Sequence, residues 1–308
     1  RAGEKLAGGN GSNTHIGAWA GRGDSDLYSG SYNTSIGAYT MNANGLAAAN
    51  NNTVVGFEAG KAITEADYNT LMGVYAGDSI TTGERNTIIG QAAGQALTTE
   101  SFNTHIGERA GHNSNSGQYC TFLGYLAGYN NDGGYNTFVG SNTGQSANTQ
   151  YQSVFVGVEA GYGNSSSGYN NVIIGYKGGY AMTTALANVW IGAYAGTAAT
   201  TADKSVFIGD SAGKAVTTQD ASVLIGFEAG RLQEVGSGGN VAIGHQALYS
   251  GTQNYQNVAI GYDAGRKATG ASSNNVYLGS AAGPSSTGAE SNKLYINNAE
   301  GTPLIGGD

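Results

Sequence analysis

The side chains that could carry acid–base, nucleophilic or metal chemistry are few in this 308-residue chain: four histidines, one cysteine and twenty-one carboxylates. No two of His15, His105, His112 and His245 stand at a metal-ligand spacing such as H-x-x-x-H. Cys120 is alone, so there is no disulfide framework and no thiolate cluster. The acids Glu58, Asp78, Glu108, Glu159, Asp210, Glu228 and Asp263 are scattered, without the Gly-Gly-x-Gly-x-Asp nonapeptide of calcium-binding β-rolls. The many Gly-x-Gly strings open no helix, and no Gly-x-Ser-x-Gly elbow joins a strand to one. A polysaccharide depolymerase would need acids gathered in a groove. The expectation is therefore a protein that is not an enzyme, with no catalytic residue, resident metal or cofactor.

What must position these residues is an unusual chain. It carries 53 glycines, only 2 prolines and 11% charged residues. Glycine without proline and without a strict triplet period excludes collagen, and 39% hydrophobic residues recurring at fixed positions argue for order. The net charge of −8, with no basic stripe, excludes a phosphate-neutralising surface, so no nucleic acid is expected as partner. No apolar run approaches the roughly 20 residues of a membrane span, so no membrane insertion is expected. The chain starts at Arg1 with no signal-peptide pattern, which reads as a processed product or a segment of something longer.

The organising feature is a repeat. A glycine preceded by an aliphatic residue recurs sixteen times, from Gly17 and Gly37 through Gly73, Gly90 and Gly107 to Gly261 and Gly279, at intervals of 16 to 20 residues. So regular a period means stacked supersecondary units. Two residues before the aliphatic stands Thr in the first eight copies (Thr14 to Thr137) and Val in the last eight (Val154 to Val276). Both are β-branched and strand-favouring, and alternate strand positions share a face. This predicts a short strand in each copy, with the Thr/Val and aliphatic columns turned into the coil. Four residues before the anchor stands Asn in twelve copies, Ser in three and Cys120 in one, a pattern suited to amide ladders. An Ala-Gly pair follows the anchor, as in Ala76-Gly77 and Ala93-Gly94, and gives a tight turn. With about 4.8 Å between strands, sixteen coils would make a stiff rod of roughly 75 Å.

The strings Asn69-Thr70-Leu71-Met72-Gly73-Val74-Tyr75-Ala76-Gly77 and Asn86-Thr87-Ile88-Ile89-Gly90-Gln91-Ala92-Ala93-Gly94 resemble the left-handed β-roll of YadA-like trimeric adhesin heads, and more closely the repeats of phage tail fibres and long bacterial surface proteins. The resemblance covers about residues 13 to 283. Its 17-residue period exceeds that of YadA-like heads, the added length lying in the loop. The tail Ser291 to Ile296 with Thr302-Pro303-Leu304-Ile305 looks like the segment that closes such arrays. The resemblance implies trimerisation and attachment to a cell or surface.

The resulting expectation is an all-β parallel β-solenoid, a left-handed β-roll of about sixteen 17-residue coils: a lead-in over 1–12, the repeat domain over 13–283 and a closing segment over 284–308. The residue in the middle of each strand is mostly large and apolar, which would make a continuous interface stripe on the outer face. A homotrimer is expected to pack through His15, Leu71, Ile88, His105, Phe122, Phe138, Phe155, Ile173, Trp190, Phe207, Leu224 and Tyr277, with a dimer as the lesser option. His15 and His105 would then meet their symmetry copies, either as a hydrogen-bonded layer that sets register or around a metal or an anion. The loop tyrosines Tyr28, Tyr68, Tyr129, Tyr135, Tyr162, Tyr169 and Tyr249 are the candidates for a cell-surface glycan or protein receptor; the alternative is that they pack along neighbouring loops. The function expected is a structural and adhesive fibre segment, extracellular, on a virion tail fibre or a bacterial surface. The competing reading is a monomeric solenoid that binds ice or a glycan.

Overall fold

The computed structural model describes residues 11–22, 30–43, 48–163, 168–218, 220–233, 238–251 and 254–298, with the backbone of 305–307. The chain divides into two compact units, 1–152 and 153–308. The first holds eight three-residue strands: β1 (Thr14–Ile16), β2 (Thr34–Ile36), β3 (Thr53–Val55), β4 (Thr70–Met72), β5 (Thr87–Ile89), β6 (Thr104–Ile106), β7 (Thr121–Leu123) and β8 (Thr137–Val139). The second holds ten: β9 (Val154–Val156), β10 (Val172–Ile174), β11 (Val189–Ile191), β12 (Val206–Ile208), β13 (Val223–Ile225), β14 (Val241–Ile243), β15 (Val258–Ile260), β16 (Val276–Leu278), β17 (Leu294–Ile296) and β18 (Ile305–Gly307). Among the described residues there is no helix.

Within each unit consecutive strands pair in parallel and in register, Thr70 on Thr87, Leu71 on Ile88 and Met72 on Ile89. Seven complete coils separate the strands of the first unit and eight separate β9 to β17 in the second, a parallel β-solenoid of about fifteen coils. Among the described residues only β17 and β18 pair antiparallel. The turns are tied to their neighbours as closely as the strands: Gly73 N donates to Val55 O at 2.8 Å, Tyr75 N to Phe57 O at 2.9 Å and Gly77 N to Ala93 O at 2.9 Å. Each coil therefore satisfies its polar backbone on the coil before or after it.

Two glycine columns make this winding possible. The anchor glycines hold φ between +116° and +143° in every repeat, a region closed to other residues. A Cβ at Gly90 would sit 2.4 Å from the carbonyl oxygen of Gly107 in the next coil. The glycine of the Ala-Gly pair leaves room for the interior: a Cβ at Gly128 or Gly144 would lie 2.6 Å from the ring of Phe122 or Phe138.

The strand faces are the reverse of the expectation. The middle residues point into the coil. Leu71, Ile88, Phe122, Phe138, Phe155, Ile173, Trp190, Phe207, Leu224 and Tyr277 are all fully buried within a single chain, and His105 is 1% exposed. His15 is half-buried, its Nδ1 2.7 Å from Ser35 Oγ. The eleven buried side chains are not free to form a surface between chains, so His105 cannot meet symmetry copies, and the half-buried His15 is turned to Ser35 of the next coil. The Thr/Val and aliphatic columns, expected inside, point outward instead. The physical reason is parity. From Asn33 onward the ladder Asn, two positions before the middle residue, is also buried, and alternate positions share a face. The core is the stack of middle residues, the small residue of the Ala-Gly pair, the ladder Asn and the aliphatic that enters the loop, such as Ile63, Ile80 and Leu97.

Candidate functional site: the outward strand face and the ring columns

The outward strand face carries one β-branched and one aliphatic column. Ile16, Met72 and Leu123 are 56%, 45% and 43% exposed, and Ile174, Ile243, Ile260 and Leu278 are exposed to similar extents. In the first unit each row pairs a Thr with an aliphatic residue. In the second every row from Val154 to Ile296 is aliphatic at both positions. No charged residue enters either column in either unit. Large apolar side chains on a regular face, unscreened by charge, have the character of an interaction surface.

A second set of features lies on the turns. From Tyr32 onward the residue before each ladder position sits in the left-handed region, as Tyr68 (φ 59°), Arg85 (φ 56°), Phe102 (φ 64°), Tyr119 (φ 57°) and Tyr135 (φ 61°) do. The shared conformation lays these side chains over one another. Phe102 stacks on Tyr119 at 4.8 Å and Tyr119 on Tyr135 at 5.1 Å, with interplanar angles of 5° and 7°. The Arg85 guanidinium lies 5.2 Å from the Tyr68 ring and 5.4 Å from that of Phe102, so a cation occupies the row between these two rings.

The receptor candidates therefore do not converge on one site. Tyr68 and Tyr135 belong to this column, while Tyr129 stacks on His112 at 5.0 Å and Tyr162 on Tyr180 at 5.0 Å on another. Tyr249 lies between Arg231 and Arg266, with its hydroxyl oxygen 2.8 Å from Arg231 Nη1. Tyr169 is exposed and bridges to Leu186. Tyr28 lies outside the described residues. Sequence reasoning passed over Arg85, Phe102 and Tyr119, whose signal was their fixed place one residue before the ladder position.

Four of the scattered acids are the partners of cations three residues on or one coil away. Glu58 pairs with Lys61 at 2.8 Å, Glu159 with Lys177 at 3.3 Å, Glu228 with Arg231 at 3.1 Å and Asp263 with Arg266 at 3.2 Å. These pairs are solvated and contribute little to stability. Burial raises the Asp78 carboxyl against the hydrogen bonds it accepts from Gln95 and Ser79. Among the described residues no group of three or more His, Cys, Asp or Glu side chains could hold a metal ion.

The interior has its own polar chemistry. His105 lies on Phe122 with centroids 4.7 Å apart, neither ring nitrogen has a hydrogen-bond partner, and burial pushes its pKa down to about 3. The buried Cys120 thiol is pushed up to about 11, chiefly by desolvation. Tyr277 and Tyr295 both donate their hydroxyls to the Glu290 carboxylate, at 2.9 and 3.0 Å, and burial raises the Tyr277 pKa. Compared with known protein families, with curated proteins and with solved structures, the chain matches none.

Proposed function

We propose that this chain is a structural and adhesive fibre segment without catalytic activity, in which left-handed solenoids associate as a homotrimer. The observation that carries the reading is the outward strand face. It is a parallel sheet whose inner side is filled by its own coil and whose outer side carries an uncovered aliphatic column, flanked by Thr in the first unit and Val in the second, and parallel sheets are ordinarily covered on both faces. Closed rotational symmetry is the economical way for identical elongated surfaces to cover one another. The placement outside the cell, on a phage tail fibre or a bacterial surface, follows from the resemblance of the repeats. Native mass measurement tests the assembly: a particle of three times 31.1 kDa is expected, and a monomer at every concentration overturns it.

Receptor contact, for a glycan or a protein, is assigned to the turn columns. The face-to-face stacking of Phe102, Tyr119 and Tyr135 leaves ring edges and hydroxyls outward, since ring faces are occupied by neighbouring rows. Such a ladder suits hydrogen bonding along its length better than stacking on a sugar. Loss of adhesion to cells by a Tyr68→Ser/Tyr119→Ser/Tyr135→Ser variant that still folds is the expected outcome; unchanged adhesion overturns the assignment.

One observation favours the second reading, a monomeric solenoid that binds ice. The threonines of the first unit face outward at the strand spacing, and the middle residues between them and the aliphatic column point inside. Thermal hysteresis in a monomeric preparation would support this reading, and its absence would remove it.

A further inference from the structure

The outward face differs between the two units in a way that shape cannot account for. Thr and Val are nearly isosteric, so the rows of β1 to β8 and those of β9 to β16 present similar contours. They differ in one hydroxyl per row. The change from Thr137 to Val154 falls at the boundary between the two compact units. We infer that the outward strand face of the second unit, from Val154 to Ile296, is the seat of self-association and is covered by a second copy of this chain, while the threonine face of the first unit adds little.

The proposal rests on the reading that the chain self-assembles and says where. Three arguments point to a second copy as the occupant. The rows repeat at the strand spacing of about 4.8 Å, and a partner that fits all nine rows from β9 to β17 must carry the same rise, as another copy does. Nine rows on a face about 12 Å wide offer on the order of 500 Å² per copy, or about 1,000 Å² for a pair, which reaches the size of a specific contact. The face carries no charge, so nothing on it selects a partner of opposite sign. In the first unit, each covered row would strip water from a threonine hydroxyl and leave it to find a new partner, which offsets the gain from the adjacent aliphatic.

The near-isosteric pair makes the test clean, because the substitutions lie on the surface of a single chain. The full chain carrying Val189→Thr/Val206→Thr/Val223→Thr/Val241→Thr is compared with the wild type and with the mirror variant Thr70→Val/Thr87→Val/Thr104→Val/Thr121→Val. Mass is followed against concentration by sedimentation, and circular dichroism reports the fold. Weakening of self-association by about 100-fold or more in the second-unit variant, with no loss in the mirror variant, is expected. If the quadruple variant does not fold, Val206→Lys alone serves, because a charge at one central row is costly only when the row is covered. A wild type that assembles while the second-unit variants assemble equally well overturns this inference and leaves the fibre reading standing. A wild type that stays monomeric overturns both.

Discussion

Leu248 and Met41 show how each coil keeps its interior full. Where the middle residue is large, the Ala-Gly glycine stays glycine; where it is small, at Ser35 and Ala242, that glycine is replaced by Met41 or Leu248, and beside the small Ala259 it remains Gly265, where a Cβ would lie 2.8 Å from the Leu248 side chain. Both replacements are fully buried, and both accept a left-handed backbone, φ 45° and 50°, to reach the space. Leu248→Ala is expected to destabilise by about 2–4 kcal/mol through the cavity it leaves, measured by urea unfolding. Ala242→Phe should also destabilise, and Ala242→Phe/Leu248→Gly should recover most of the loss, with a coupling of about 1 kcal/mol or more. His105 makes a second prediction at this scale. Its folded pKa of about 3 lies below its ordinary 6.5, so between those values the unfolded chain binds a proton that the folded chain refuses. Stability that is complete above about pH 6.5 is lost as pH falls, by roughly 2 kcal/mol at pH 5. His105→Phe should stack on Phe122 and remove that part of the loss, seen as a smaller difference in unfolding free energy between pH 7 and pH 5.

The element that holds register is the asparagine ladder. Asn86 is a full rung: its N–H donates to Asn69 Oδ1 at 2.9 Å, its amide nitrogen to Glu100 O at 2.9 Å, and its Oδ1 accepts from Asn103 N at 2.9 Å. Asn86→Ala leaves the Asn103 N–H and the Glu100 carbonyl unpaired in a buried place, an expected cost of about 2–4 kcal/mol by chemical unfolding. Cys120 interrupts the ladder: its N–H still donates to Asn103 Oδ1 at 2.9 Å, but its sulfur offers only weak bonds, to Gly133 O at 3.3 Å and Gln118 O at 3.5 Å. Cys120→Asn should therefore stabilise by on the order of 1 kcal/mol, read as a higher Tm. In the native chain the thiol, held near 11, should react slowly with a disulfide reagent at neutral pH and readily once unfolded.

At the scale of the whole molecule, the balance is between an interior that each coil completes for itself and an outer face that no coil can cover. An assembly seated on uncharged aliphatic rows should respond to salt as apolar contacts do. Raising sodium chloride from about 0.05 to 0.5 M is expected to leave the dissociation constant within a few-fold, while sodium sulfate tightens it. A tenfold or greater weakening with sodium chloride would instead place the contact on charged turn residues such as Lys177, Arg231 or Arg266.

All sixteen repeat strands were legible in the sequence, because an anchor glycine with φ near +135° admits no other residue and a β-branched residue two places before the aliphatic marks a strand. The ladder was legible too, since a buried amide repeating coil after coil can satisfy itself. What the sequence pattern pointed to wrongly was which side of a three-residue strand is inside, for both sides carry apolar residues and so short a strand shows little contrast between them. The tertiary structure decided it by closing the coil around the Asn side chain and the middle residue together. That places Trp190 and Phe207 in the core and leaves Val189 and Ile191 half-buried on the outer face. The pairing of Ser35 with Met41 and of Ala242 with Leu248 likewise became intelligible only once the interior had a volume to fill.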